Sequence, residues 1–166
     1  MPKKVDPLNK KMMNAVVAMI TVSDLKAAVS FYQKAFGFKR RGGLMNGPDG
    51  KPIHAELRMR DTTVMLGPEM PERGARSAKT IGGSPVSMYL MVENADKAFA
   101  KAVKAGAQPM GQVADMFWGD RCGMVSDPDG NIWTVATHMA APTPAEMKKA
   151  MKAQMAQMAN AATSGT

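Results

Sequence analysis

The chain has 166 residues, a length that corresponds to one domain or two small repeats. Its formal net charge is +8, but the lysines concentrate in the first eleven residues and in the tail after Pro142, and no basic run is interleaved with aromatic residues. Nucleic-acid binding is therefore not expected. Cys122 is the only cysteine, which excludes a disulfide framework and a thiolate metal cluster.

No run of about 18 apolar residues is present to span a membrane, and the lysine-rich start lacks the apolar segment of a secretory signal. These features predict a cytoplasmic protein without a membrane partner. Methionine is unusually frequent, at 18 residues, whereas aromatic residues make up only 5% of the chain. Flexible thioether side chains would suit an interior that adapts to irregular ligands, although a compositional preference for Met over Leu explains the count equally well.

In chain order, a basic segment at 1–13 precedes an internal repeat. Two stretches, VSDLKAAVSFYQKAFG and VENADKAFAKAVKAGA, each follow an apolar run and lie 70 residues apart. The repeat predicts a first unit at 14–67 and a second at 85–138. Between them, residues 68–84 are rich in Pro, Gly, Arg and Ser and are predicted to form a linker.

Each repeated stretch predicts a helix. Ser23 or Asp24 in the first copy and Asn94 in the second can cap the free amides of the first turn, and Gly37 and Gly106 suit the ends. Apolar residues recur at helical spacing in both copies, so each helix should pack one face on a sheet. One apolar strand precedes each helix, and three shorter strands follow it, at about 38–45, 52–60 and 62–67 and at about 108–113, 120–126 and 131–138.

Two βαβββ units, the second containing WGDR and DPDGNIW, resemble the vicinal oxygen chelate superfamily of glyoxalases, bleomycin resistance proteins and ring-cleaving dioxygenases. The resemblance covers about 14–138. It implies an α+β fold in which two repeats form a curled mixed sheet around a cavity, with the helices outside. It also implies a small-molecule ligand, and we expect a homodimer.

The metal enzymes of this superfamily hold a divalent ion with side chains from the first and fourth strands of each repeat. By spacing, those positions correspond here to Val17, Met65, Ser87 and Thr134. Val and Met do not bind a hard divalent ion, and Ser and Thr are poor ligands beside His, Asp or Glu. We therefore predict neither a metal nor another cofactor.

The third strand of the first repeat, PIHAELRMR, alternates apolar and polar residues. The polar side chains of His54, Glu56 and Arg58 should project toward the cavity or its rim. His54 and Glu56, two residues apart, are the candidate catalytic pair, either as a displaced metal site or as a general base with its carboxylate. The favoured alternative is a charge network in the cavity wall, also involving Arg121.

In the second repeat, alternation turns Tyr89 and His138 toward the cavity, although His138 ends its strand and is expected to be a solvated terminus. Trp133 should lie in the core. Trp118 is either an aromatic wall for a planar ligand or a ring folded over the core edge. The predicted ligand-binding residues are His54, Glu56, Arg58, Tyr89, Trp118 and Arg121.

The tail predicts a helix at 142–160 and a flexible end at 161–166. Thr143 and Glu146 fit a capping box, with proline at the first helical position. A stripe on one face comprises Met147, Met151, Met155 and Met158. We expect it to pack on the same subunit or across a dimer, and a disordered tail is the alternative.

Three functions are consistent with these features. The first is a metal-independent protein that binds and sequesters an amphipathic or aromatic small molecule. The second is a glyoxalase-like or dioxygenase-like enzyme that recruits a metal through a displaced site such as His54 and Glu56. The third is a structural or regulatory dimer whose cavity is filled by its own Met side chains.

Overall fold

The computed structural model of the protein describes residues 7, 9 and 13–163, with side chains in the last helix described as far as residue 156. Most of the basic segment 1–13 lies outside the described residues. The first repeat contains β1 (Ala18–Val22), α1 (Leu25–Phe36), β2 (Lys39–Asn46), β3 (Pro52–Met59) and β4 (Thr62–Pro68). The remainder contains α2 (Ala78–Ile81), β5 (Ser87–Met91), α3 (Ala95–Lys104), β6 (Gln108–Pro109), β7 (Ala114–Asp115), β8 (Asp120–Ser126), β9 (Ile132–His138) and α4 (Pro144–Thr163).

The strands form two mixed sheets that do not close on each other. One has the order β1-β4-β3-β2 and the other β5-β9-β8-β6, with β7 also paired to β8. In both, the strand before the helix pairs in parallel with the last strand of the unit, and the remaining pairs are antiparallel. The common order confirms the predicted α+β class with two βαβββ units.

The strand predicted at 108–113 is shorter than expected. Within this stretch only β6 pairs with β8, and the amide of Met110 adds one hydrogen bond to the carbonyl of Met124 at 2.9 Å before the chain leaves the sheet. Pairing with β8 resumes at β7. Pro109 has no amide hydrogen to donate, and Gly111 has φ of +133°, so this stretch cannot continue a regular ladder.

Both long internal helices begin at the expected caps. Asp24 Oδ1 accepts a hydrogen bond from the amide of Ala27 at 3.0 Å, and Asn94 Oδ1 accepts one from the amide of Lys97 at 2.9 Å. Gly37 ends α1 in the left-handed conformation. Because the caps fix where each helix starts, they also fix which face meets the sheet.

One hydrophobic core joins the two repeats. Trp133 on β9 is 2% exposed, and its ring centroid lies 5.4 Å from that of Tyr32 and 4.9 Å from that of Phe36, both on α1. Ala55 and Leu57 are fully buried on the helix side of β3. Trp133 is therefore a core residue, as predicted.

The predicted linker is partly ordered. A 3₁₀ turn at Pro71–Arg73 and the short helix α2 occupy it. Glu69 accepts a hydrogen bond from the amide of Ser77 at 2.7 Å, and the amide of Lys79 donates to the carbonyl of Asp129 at 2.7 Å. The segment is thus fastened to the turn between β8 and β9.

The C-terminal helix begins with the predicted capping box. The amide of Thr143 donates to Glu146 Oε2 at 2.7 Å, and the amide of Glu146 donates back to Thr143 Oγ1 at 3.4 Å. Of the methionine stripe, Met155 is 65% exposed, and Met158 lies outside the described side chains. Residues 161–163, predicted to be flexible, belong to α4.

Among the described residues, no helix combines the length and the apolar character needed to span a bilayer.

Candidate functional site

The second sheet presents one face to its helix and the other to open space. Strand register sets the members of the open face, because Tyr89 on β5 pairs with Thr134 on β9, and Asp120 on β8 pairs with His138 on β9. Side chains of paired residues project to the same side of a sheet. Four polar groups therefore gather on this face.

Asp120 is the centre of this group. Its Oδ2 accepts a hydrogen bond from the Tyr89 hydroxyl at 2.7 Å and one from Trp118 Nε1 at 3.2 Å. Its Oδ1 lies 2.8 Å from Nδ1 of His138. Trp118 Nε1 is also 3.3 Å from the Tyr89 oxygen, so the two rings and the imidazole are held by one carboxylate. These four residues are termed the Asp120 cluster.

The electrostatics of the Asp120 cluster favour an ionised carboxylate. The hydrogen bond from Tyr89, followed by that from His138, lowers the pKa of Asp120. Burial and the hydrogen bond to Asp120 raise the pKa of Tyr89 to about 12. Burial also raises the pKa of the neighbouring Cys122 thiol. At neutral pH the thiol is therefore protonated and is a poor nucleophile.

A cavity of about 250 Å³ lies against two members of the Asp120 cluster, Tyr89 and Trp118. Its wall consists of Tyr89, Met110, Gln112, Met116, Trp118, Cys122, Gly123, Met124 and Thr134. The Tyr89 side chain is 49% exposed and that of Trp118 is 37% exposed, although both carry a hydrogen-bonded polar atom. Trp118 thus lies in the wall of a cavity.

The polar residues of β3 form a separate group on the first sheet. His54 Nε2 lies 3.8 Å from Glu56 Oε1, and Arg41 Nε lies 3.4 Å from Glu56 Oε2. The Arg41 cation beside Glu56 offsets the carboxylate charge that a metal ion would need. Arg58 is apart from this pair, since its Nε donates to the carbonyl of Arg60 at 2.9 Å.

Arg121 lies on the other face of β8 from Asp120. Its guanidinium donates two hydrogen bonds of 2.8 Å to the two carboxylate oxygens of Asp96 on α3, and one of 3.0 Å to Asp115. This pairing lowers the pKa of Asp96. Alternation along the strand separates neighbouring residues, so Arg121 is not part of the cavity wall that Tyr89 and Trp118 share.

The four positions that the superfamily uses for metal do not fit a divalent ion in this chain. Val17 and Met65 offer no hard donor, and Thr134 offers only a hydroxyl that is nearly buried. Within the described residues, no group of three or more His, Cys, Asp or Glu side chains is placed to hold a metal.

Two members of the Asp120 cluster were not predicted as ligand-binding residues. His138 was expected to be a solvated strand end, and Asp120 was placed on its strand without a role. The sequence nevertheless indicates the pairing. Residues 126 and 132 flank the turn at 127–131, and six residues further along each strand, Asp120 lies opposite His138. Register counted from a hairpin turn thus identifies the pair.

The architecture and the cavity define a protein of two βαβββ units with a small-molecule-sized cavity on the open face of the second sheet. The family model for the Glyoxalase/Bleomycin resistance protein/Dioxygenase superfamily matches residues 14–135. The chain belongs to this superfamily, as the sequence motifs had indicated.

Relatives with similar sequences exist in mycobacteria. Uncharacterized proteins of Mycobacterium bovis and Mycobacterium tuberculosis are 38% identical over 138 residues, which is 81% of this chain and 90% and 81% of theirs, respectively. Among solved structures, an Arabidopsis thaliana gene product is 29% identical with a TM-score of 0.61, and TioX from Micromonospora sp. ML1 is 25% identical with a TM-score of 0.59. Each alignment covers 75% of this chain and 98% of the other.

Proposed function

We propose that this protein is a metal-independent small-molecule binding protein that sequesters an aromatic or amphipathic compound in the cavity beside the Asp120 cluster. The observation that carries the proposal is the pair of aromatic rings, Tyr89 and Trp118, which are substantially exposed yet fixed by hydrogen bonds to one carboxylate. Rings held in place before a ligand arrives lose little entropy on binding. Such rings recognise planar apolar groups.

The methionines of the wall support the same ligand class. Met110, Met116 and Met124 line the cavity, and their unbranched side chains can adjust to an irregular apolar surface. A cavity of about 250 Å³ accommodates a compound of one or two rings. The ligand-binding residues that we propose are Tyr89 and Trp118, joined by Asp120 and His138.

The test is a binding screen of planar aromatic compounds by calorimetry, followed by variants. Trp118→Ala should weaken the affinity of any compound found by about fivefold or more, since an aromatic contact of this kind contributes about 1 kcal/mol or more. Arg121→Ala is the matched control, because Arg121 lies on the other face of β8, and it should leave affinity unchanged. Equal affinity in wild type and Trp118→Ala would overturn the proposed site.

An enzyme that uses His54 and Glu56 as a displaced metal site is the competing hypothesis, and metal content separates the two. Elemental analysis after incubation with Zn, Ni, Mn or Fe(II) and desalting should find no stoichiometric metal. Retained metal that is lost in a His54→Ala, Glu56→Ala variant would support the metal enzyme instead.

We also propose a homodimer, because apolar side chains on α4 and on the sheet edges are exposed in the single chain. Val16, Met19 and Val86 are more than half exposed near the two sheet edges, and Met155 is similarly exposed on α4. Met155→Glu should weaken association in sedimentation equilibrium. Ala153→Glu, which adds the same charge on the opposite face of the helix, is the control. A wild-type monomer at all concentrations would contradict the proposal.

A cytoplasmic location is proposed as well. A single, buried, unpaired cysteine suits a reducing compartment. Fractionation of cells that express the tagged protein tests this, and recovery outside the cytoplasmic fraction would contradict it.

A further inference from the structure

His138 differs from the other members of the Asp120 cluster in having a second polar atom that the cluster leaves unused. Its Nδ1 faces Asp120 Oδ1 at 2.8 Å, and the side chain is 59% exposed. Asp120 is ionised and can only accept hydrogen bonds. Nδ1 must therefore carry a hydrogen, and in an uncharged imidazole, which has only one, Nε2 is then an acceptor.

The remaining hydrogens of the cluster are also directed to Asp120. The Tyr89 hydroxyl donates to Oδ2, and the Trp118 N–H is shared between Oδ2 and the Tyr89 oxygen. Three donors are thus used internally. Two atoms of the cluster can still accept a hydrogen bond from a ligand, namely Nε2 of His138 and the oxygen of Tyr89.

We propose that this site selects an aromatic ligand that bears a weakly acidic hydroxyl group. Its ring packs on Trp118 and Tyr89 in the cavity wall, and its hydroxyl donates to Nε2 of His138, which lies outside that wall and is linked to both rings through Asp120. For a sufficiently acidic phenol, the O–H bond breaks and the proton moves to Nε2. The products are a bound phenolate and an imidazolium, whose charge the Asp120 carboxylate balances. This inference rests on the proposed small-molecule site and specifies the chemistry of its ligand.

The charged and titratable groups around His138 are consistent with this direction of proton transfer. His138 contacts the carboxylate of Asp120 on β8. The same carboxylate accepts a hydrogen bond from the Tyr89 hydroxyl on β5. Neither group competes for Nε2. The nearest cationic side chain on β8, Arg121, lies on the opposite face and is paired with Asp96 and Asp115.

The experiment compares 4-nitrophenol with 4-nitroanisole, its methyl ether, which has the same ring but no hydroxyl hydrogen. Calorimetry should find that the phenol binds at least about tenfold more tightly, the effect of one charge-assisted hydrogen bond. Just below the probe's own pKa, binding should also produce the visible absorption of the phenolate. His138→Phe should abolish both effects, whereas His54→Phe, which replaces the only other histidine, should retain them.

A second measurement needs no ligand. In the His54→Phe variant, the single remaining histidine is His138, and nitrogen NMR of its ring should identify the Nδ1–H tautomer. An Nε2–H tautomer would overturn the inference. Equal binding of the two probes, weakened equally by Trp118→Ala, would also overturn it while leaving the proposed function intact. Failure of both probes and of the whole aromatic screen would overturn the proposed function and this inference together.

Discussion

Asp120 is the first residue of β8 and Asp127 directly follows its last, and each accepts hydrogen bonds from a tyrosine hydroxyl and a tryptophan ring nitrogen. For Asp120 these are Tyr89 and Trp118, and for Asp127 they are Tyr32 and Trp133. The first pair of rings is substantially exposed, whereas the second is almost fully buried. The same three residue types thus form an open surface at one end of the strand and part of the core at the other.

The additional partners of each aspartate explain the difference. Asp127 Oδ1 accepts hydrogen bonds from the amides of Asp129 and Asn131, at 3.0 and 2.8 Å, so it organises its own turn as well as the two rings. Asp120 has His138 instead, a side chain that reaches solvent. Burial with full hydrogen bonding indicates a structural role, and exposure of fixed polar groups indicates a surface available to a ligand.

The largest difference between the two aspartates should be in stability. Asp127→Ala leaves the Tyr32 hydroxyl, the Trp133 N–H and two backbone amides without their acceptor in the core, and should lower the free energy of unfolding by about 3–5 kcal/mol. Asp120→Ala, whose partners can bond to water, should cost about 1 kcal/mol or less. Urea denaturation of both variants measures this, and equal losses would show that the two clusters do not differ as described.

A smaller effect is expected from Gly119, which lies between Trp118 and Asp120. Its φ is +98°, and a Cβ there would collide with the Ala140 carbonyl oxygen. The carbonyl of Gly119 accepts hydrogen bonds from the amides of Met139 and Ala140. Gly119→Ala should cost about 1–3 kcal/mol more than Gly50→Ala, which has similar positive φ but open space around it. It should also weaken ligand binding, because Trp118 is displaced. Similar stability losses for the two variants would contradict the packing described at Gly119.

The paired tyrosine variants sharpen the comparison further. Tyr32→Phe removes a buried hydrogen bond to Asp127 and should cost about 1–2 kcal/mol, with no direct effect on ligand affinity. Tyr89→Phe should change the free energy of unfolding by about 0.5 kcal/mol or less, but should reduce ligand affinity, because Asp120 and Trp118 lose a partner that orients them. The reverse pattern would contradict the assignment of roles.

The smallest effect is spectroscopic. The chain has two tyrosines, and both have raised pKa values: that of Tyr89 is about 12, and burial followed by the charge of Asp127 raises that of Tyr32 well above its usual range. The folded protein should therefore show no tyrosinate absorbance near pH 10. Because both pKa values are raised, their contribution to stability is complete below about pH 10 and is lost as the pH rises through the folded values. A normal tyrosine titration would contradict the hydrogen bonds of both clusters.

Local patterns predicted much of the fold. The caps at Asp24 and Asn94, the succession of one strand, one helix and three strands along each repeat, and the buried position of Trp133 all follow from residues close together in the chain. Arg121, predicted among the ligand-binding residues, lies on the other face of β8 from the cavity and pairs with Asp96 and Asp115. The segment DRCGMVS places charged or small residues on both faces, so its alternation has no clear apolar phase. Predicting the Asp120 cluster would have required the register between β8 and β9 and the path of the loop that carries Trp118. Neither can be read from a single segment of the sequence.

The turn at 127–131 has a consequence for how the chain is made. Asp127 binds Tyr32 across 95 residues of sequence, and Asp129 binds Ser23 across 106. Helix α1 thus leaves the ribosome long before the residues that complete its packing. At typical rates of about 5–20 residues per second, this interval lasts roughly 5 to 20 s, during which the aromatic face of α1 has no Trp133 to cover it. The apolar face of α1 is therefore exposed to chaperones and to aggregation during synthesis for longer than the small size of the protein suggests.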